Sequence, residues 1–108
     1  MSNTDFDFIA AAERTLDAIE AAVEECAADI EATRADNVLT LEMADGSKII
    51  VNSQAPSRQI WVAARSGGFH YEWRDGLWRD TRDGTELFAS LSRLVSAQGG
   101  GPVVLRSS

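Results

Sequence analysis

The hydrophobic period of this chain changes twice, and those changes limit what it can fold into. Over residues 4–32 the apolar side chains Ile9, Ala12, Leu16, Ile19, Val23, Cys26 and Ile30 recur at intervals of three and four, the spacing of one long amphipathic helix. Asn3 or Thr4 can cap it, with Asp5 and Asp7 in a first turn where the helix dipole favours negative charge. From Val38 the period drops to two. Residues 38–43 alternate and run into Asp45-Gly46, read as a two-residue hairpin turn, and residues 48–52 return. Gln54-Ala-Pro-Ser reads as a loop, residues 60–65 as a strand, Ser66-Gly67-Gly68 as a turn, residues 69–74 as a strand and, past Asp75-Gly76, residues 77–80 as another. Over residues 85–97, Leu87, Phe88, Leu91, Leu94 and Val95 restore helical spacing, with Asp83 or Thr85 as cap. Gly99-Gly100-Gly101-Pro102 ends that helix, and residues 103–105 form a short apolar tail that can fold back on the helices.

Helix, five or six strands, helix is the order of an α+β two-layer sandwich, with two helices on one face of an antiparallel sheet and the other face left to solvent. A chain of 108 residues supplies one such core, so residues 1–108 are read as a single domain. Phe69, Tyr71 and Trp73 alternate on one face and read as core, as does Phe88; the pattern does not place Trp78.

Several function classes drop out. No apolar run approaches the ~18 residues of a membrane span, and the start Met1-Ser-Asn-Thr-Asp-Phe-Asp7 lacks the basic segment of a secretory signal, so the protein is read as cytoplasmic. Cys26 is the only cysteine, which precludes an internal disulfide and a four-cysteine cluster site within one copy. His70 is the only histidine, read as an exposed strand residue, and no serine sits in a nucleophile elbow or phosphate loop. The chain is therefore read as a non-enzyme, with no catalytic residues. Charge is polarised: residues 1–45 carry twelve acids against Arg14 and Arg34, whereas residues 46–108 carry eight bases against five acids. An acidic end of that kind repels nucleic acid and attracts cations or basic protein surfaces.

Two patterns can carry function. On a continuous first helix, Glu13, Asp17, Glu20, Glu24 and Glu31 fall within roughly 60° of arc at about 100° per residue, beside the apolar stripe. Glu25 and Asp29 lie off that line but reach the same edge. The row is either the solvated face of an acidic helix or a site for a cation or basic partner that offsets its self-repulsion. All-oxygen ligands suit hard cations such as Mg²⁺, Ca²⁺, Mn²⁺ and iron, held with affinity on the order of 10⁻⁵ M or poorer. The second pattern is the strand of residues 59–64: Ile60, Val62 and Ala64 share the aliphatic face, leaving Gln59, Trp61 and Ala63 on the other. Trp61 is then either part of a contact surface, with Asn52, Gln54 and Gln59 beside it, or covered by a side chain of the neighbouring strand.

These segments resemble the frataxin family, especially its short bacterial form, over nearly the whole chain. The resemblance is carried by the acidic first helix, Val38-Leu-Thr-Leu41, Asp45-Gly-Ser-Lys-Ile-Ile-Val-Asn52, Gln54-Ala-Pro56, Gln59-Ile-Trp61, Gly67-Gly-Phe-His-Tyr71, Trp73, Trp78, and Leu87 with Leu91 in the closing helix. It implies the sandwich fold, weak binding of Fe²⁺ and Fe³⁺ with other divalent cations also accepted, and a regulatory part in iron-sulfur cluster assembly beside a cysteine desulfurase and a scaffold protein. By position it places the iron-binding ridge at Glu20, Glu24, Glu25, Asp29 and Glu31, extended by Asp17, and the partner surface at Asn52, Gln59 and Trp61. It also implies a monomer in the absence of metal. Ala27, Ala28 and Ala32 stand where many bacterial relatives carry further acids, which implies reduced iron capacity. The targeting extension of mitochondrial members is absent from this sequence. A metal-independent adaptor and an iron store or ferroxidase are the rival readings.

Overall fold

The computed structural model describes residues 7–26, 29–99 and 102–106. The first helix, α1, spans Phe8–Glu25 and buries Ala12, Leu16, Ile19 and Val23 at the predicted three-and-four spacing, but its first turn buries Phe8 and Ala11 and leaves Ile9, expected in the stripe, 63% exposed. Its cap is Asp7, whose side chain accepts from the Ala10 N–H at 3.2 Å. Asp7 is thus the cap and not a first-turn residue, while Asn3, Thr4 and Asp5 lie outside the described residues. The helix also stops sooner than the apolar spacing indicates. Cys26 is already extended (φ −76°, ψ 157°), and Glu31–Ala35 forms a strand, β1. An interval of four is even, so Cys26, Ile30 and Arg34 satisfy a helical and a strand period alike. The ladder with the next strand decides, pairing Ala32 with Leu41 and Arg34 with Leu39.

Five more strands follow in spatial as well as sequential order: β2 (Val38–Glu42), β3 (Lys48–Gln54), β4 (Gln59–Ala64), β5 (Gly67–Arg74) and β6 (Leu77–Asp80), each antiparallel to the last. The six-stranded meander agrees with the expected architecture. Asp75 and Gly76 both adopt positive φ, 56° and 82°, the backbone hand of a two-residue hairpin turn that matches strand twist. The β2–β3 connection differs from the expected two-residue turn. The Gly46 N–H reaches the Met43 carbonyl and the Met43 N–H that of Ser47, which makes a three-residue loop with Gly46 at φ 88°, a type I turn followed by a bulge. Between β4 and β5 the turn is Arg65-Ser66, and Gly67 and Gly68 already belong to β5. Residues 55–57, expected as loop, form one 3-10 turn, Ala55–Ser57.

The second helix, α2, spans Leu87–Gly99. Its cap is Glu86, whose carboxylate oxygens accept from the N–H groups of Phe88 (2.8 Å) and Ala89 (3.2 Å). Asp83 and Thr85 instead close the preceding turn, the Asp83 carboxylate accepting from the Thr85 N–H. Both helices cover one face of the sheet: Leu16, Ile19, Leu39, Leu41, Ile49, Val51, Ile60, Val62, Tyr71, Leu87 and Leu91 are all fully buried. Each such side chain contributes about 1.5–3 kcal/mol by leaving water. Trp78, unplaced by pattern, is buried and donates its indole N–H to Thr15 Oγ1 at 2.8 Å, tying β6 to α1. Trp73, expected in the core, is 40% exposed and meets Trp78 edge-on at 5.2 Å; the pairing of β4 with β5 ends at Gln59 opposite Glu72, so Trp73 has a strand neighbour only on the β6 side. Residues 103–105 fold back as expected, burying Leu105 and pairing with the hydroxyls of Ser92 and Ser96.

Candidate functional site

Asp17, Glu20, Glu24 and Glu25 lie on α1, Asp29 in the connection to β1, and Glu31 at the first position of β1. The helix end breaks the line inferred from a continuous helix: Glu31 belongs to a strand, in register with Glu42, which faces Lys48 in turn. Ala27 and Ala28 lie outside the described residues, and Ala32 sits in β1 opposite Leu41. Asp17, Glu20, Glu24 and Glu25 run along α1, whose Asp17 and Glu20 lie beside this edge strand, whereas Glu31 stands on the opposite face of β1 from Ala32 and Arg34, which pair with the buried Leu41 and Leu39. Among the described residues no three His, Cys, Asp or Glu side chains are placed to hold one metal ion. A cation on this edge would take one or two carboxylates and keep its waters, a loose fit that suits the hard-oxygen donor set.

Arg34 changes the electrostatics of this edge. It projects from the helix-facing side of β1, where its Nη1 lies 2.7 Å from Asp17 Oδ1 and 3.9 Å from Glu20 Oε1, and its Nε donates to the Asp36 carbonyl at 2.8 Å. Glu24, Glu25, Asp29 and Glu31 are exposed and, among the described residues, form no ion pair. The periodicity gave no sign of this division, because Arg34 reaches α1 only once residues 31–35 pair as a strand.

On the open face of the sheet, Asn52 of β3 pairs with Trp61 of β4, and Trp61 with His70 of β5. The indole and imidazole rings stack at 4.5 Å with planes 11° apart, and the indole N–H donates to Gln59 Oε1 at 2.8 Å. The reading in which a side chain of the neighbouring strand covers Trp61 therefore holds in part. One face of the ring is covered by the neighbouring strand, yet the residue is half-buried on the side away from the helices. Gln59 lies in the adjoining row, opposite Gln54 on one side and Glu72 on the other. A shallow hollow of about 250 Å³ beside the Trp61–His70 stack is lined by Ile50, Asn52, Ala63 and Gly68. His70 is the member that sequence reasoning missed. A turn at residues 66–68 sets Trp61 against Trp73, whereas the two-residue turn at Arg65-Ser66 sets it against His70.

The asparagine, glutamine and tryptophan thus share one sheet face, and of the carboxylates Asp17 and Glu20 meet β1 through Arg34. Residues 1–101 match the family model described as a Frataxin-like domain. The iron-sulfur cluster assembly protein CyaY of Herminiimonas arsenicoxydans is 56% identical, over 97% of this chain and 98% of its own length. That of Cupriavidus taiwanensis is 59% identical over 87% of this chain and 88% of its own. Among solved structures, frataxin from Psychromonas ingrahamii superposes with a TM-score of 0.84 at 35% identity, covering 91% of this chain and 93% of that one. Trimeric frataxin from the yeast Saccharomyces cerevisiae, complexed with ferrous iron, gives 0.67 at 25% identity, covering 93% and 91%.

Proposed function

This chain belongs to the frataxin family, and from that premise we propose that it is an iron-binding accessory protein of iron-sulfur cluster assembly that regulates a cysteine desulfurase and scaffold complex in the cytoplasm. The observation that carries the reading is the division of labour between its faces. One side of the sheet is spent on the core, and the other holds a half-buried tryptophan between a histidine and a glutamine. A large ring already fixed in orientation loses little freedom on docking, which is what a contact anchor needs. Trp61, Asn52 and Gln59 contact the desulfurase or scaffold. The carboxylates Asp17, Glu20, Glu24, Glu25, Asp29 and Glu31 dock against a basic partner surface and hold Fe²⁺ or Fe³⁺ weakly, so that metal occupancy alters docking. Support for iron comes from the ferrous complex of the yeast relative and from the hard-oxygen chemistry of the edge.

The test is capture of desulfurase and scaffold by immobilised protein with and without Fe²⁺ under anaerobic conditions, alongside the rate of cluster formation. Glu20→Lys, Glu24→Lys and Glu25→Lys together should weaken capture, increasingly so as salt is lowered, because exposed charges are screened over ~8 Å at physiological ionic strength. Capture unaffected by that triple reversal would reject the ridge as a docking element. That no three carboxylates converge among the described residues favours one alternative, a metal-independent adaptor working through Trp61 alone. That alternative requires capture to be identical with and without iron.

A further inference from the structure

Four of the six candidate acids form no ion pair among the described residues, but Asp17 and Glu20 already have a cation beside them. We infer that Arg34 is the chain's own occupant of the proximal part of this edge: it withholds Asp17 and Glu20 from external cations and confines a hard cation to the segment from Glu24 to Glu31. The inference rests on the iron-binding reading above and adds to it which carboxylates are open to metal.

Three contacts fix the guanidinium: Asp17 at 2.7 Å, Glu20 at 3.9 Å and the Asp36 carbonyl at 2.8 Å. The last lies in the hairpin that joins β1 to β2, so the stem is held from its own strand while the fork reaches across to α1. A planar fork held in this way has little freedom left to lose when it binds carboxylates. The Arg34 side chain is 19% exposed against 71% for Asp17, so the positive charge is the more sheltered partner. A divalent cation placed on Asp17 or Glu20 would have to sit beside that charge. Expelling Arg34 instead would strip a largely covered guanidinium of its carboxylate partners.

Formal charge points the same way. Asp17, Glu20 and Arg34 together carry one negative charge, whereas Glu24, Glu25, Asp29 and Glu31 carry four with no ion pair among the described residues. The attractive field is therefore strongest at the helix end and the start of β1. Arg34 is thereby a specificity-determining residue, setting both where cations land and how many carboxylates compete for them. It has no direct contact with the metal.

The experiment is an anaerobic titration of Fe²⁺, with Mg²⁺ as diamagnetic control, into isotopically labelled protein, following the side-chain carboxyl carbons of Asp and Glu and the Arg34 Nε–H by NMR. In the unaltered protein, Glu24, Glu25, Asp29 and Glu31 should respond while Asp17, Glu20 and the Arg34 Nε–H stay in place. In Arg34→Gln, Asp17 and Glu20 should join the response and apparent affinity should rise roughly two- to fivefold, the range expected when an exposed ion pair is removed as competitor. Movement of Asp17, Glu20 or the Arg34 Nε–H together with the distal acids in the unaltered protein overturns the inference, whether or not the variant folds. So does an Arg34→Gln response identical to the original. If no carboxyl group along the edge responds in either protein, the iron-binding reading fails first and this inference falls with it.

Discussion

Replacing Trp61 and Trp78 by alanine, one at a time, separates a contact anchor from a core residue. Trp61 is half-buried on the open face; what it gives the fold is its stack on His70 and the N–H bond to Gln59. An aromatic pair contributes about 0.5–1.5 kcal/mol beyond its buried area, and a neutral hydrogen bond about 0.5–1.5 kcal/mol net. Truncation should therefore cost about 1–3 kcal/mol, leaving the domain folded at 25 °C if its stability lies in the usual range of about 5–15 kcal/mol. Trp78 is 4% exposed, edge-on to Phe8 at 5.8 Å and bonded to Thr15. Its loss opens a cavity under α1, which for a large aromatic costs about 3–5 kcal/mol. For a domain of this size each kcal/mol shifts the thermal midpoint by roughly 4–8 °C, so the two variants should be resolved by thermal and urea unfolding followed by circular dichroism. Partner capture should fall for Trp61→Ala with the protein still folded. A Trp61→Ala variant as unstable as Trp78→Ala would refute the assignment of Trp61 to an open face. An equally stable one that captured its partners normally would refute its role as anchor.

Three further outcomes follow from particular contacts. Glu86→Ala removes both hydrogen bonds that cap α2 and should cost about 1 kcal/mol, read as a shift in urea midpoint without change in slope; no shift would mean that water caps the helix equally well. The hydroxyl and N–H of Ser47, then Arg65, hold the Asp45 carboxyl down from 3.8 to about 2. A depressed acid contributes stability that is complete above its unfolded value and is lost as pH falls toward the folded one. Asp45→Asn should therefore flatten the fall in stability between pH 4 and 2, and an unchanged acid limb would show that the Ser47 bonds do not persist in solution. The Tyr71 hydroxyl is buried without a hydrogen-bond partner among the described residues; burial pushes its phenol up, with the adjacent Ser90 pulling the other way. Tyr71→Phe removes an unsatisfied group and should leave stability unchanged or higher at neutral pH, whereas a loss above about 1 kcal/mol would reveal a satisfied partner.

Much of the architecture was legible because it depends on local period. The buried stripe of α1, the outward placement of Trp61 and Gln59, and the apolar side of α2 each follow from which face a residue of given parity or helical phase occupies. The same logic misled at the helix end, where an interval of four fits either period and the line of carboxylates was carried through to Glu31. It misled again at the turns, since Gly67 and Gly68 are as good turn formers as the Arg65-Ser66 pair that the chain uses. Of the candidate site, the residue types and the faces of Asn52, Gln59 and Trp61 were readable. The stack of His70 on Trp61 and the reach of Arg34 to Asp17 were not.

The sequence by itself determined the buried stripe through most of α1, the strands from Val38 onward, the faces of Gln59, Ile60, Trp61 and Val62, and the oxygen-only chemistry of the acidic residues, because these follow from residue type and spacing along one segment. Tertiary structure alone decided who stands beside whom. Register between strands brings His70, nine positions on, to Trp61, and the pairing of β1 with β2 lifts Arg34 out of a helical path to neutralise an acid 17 positions away. Such neighbours are set by ladders of backbone hydrogen bonds and by a shared core, which are properties of paired segments and leave no period in either one.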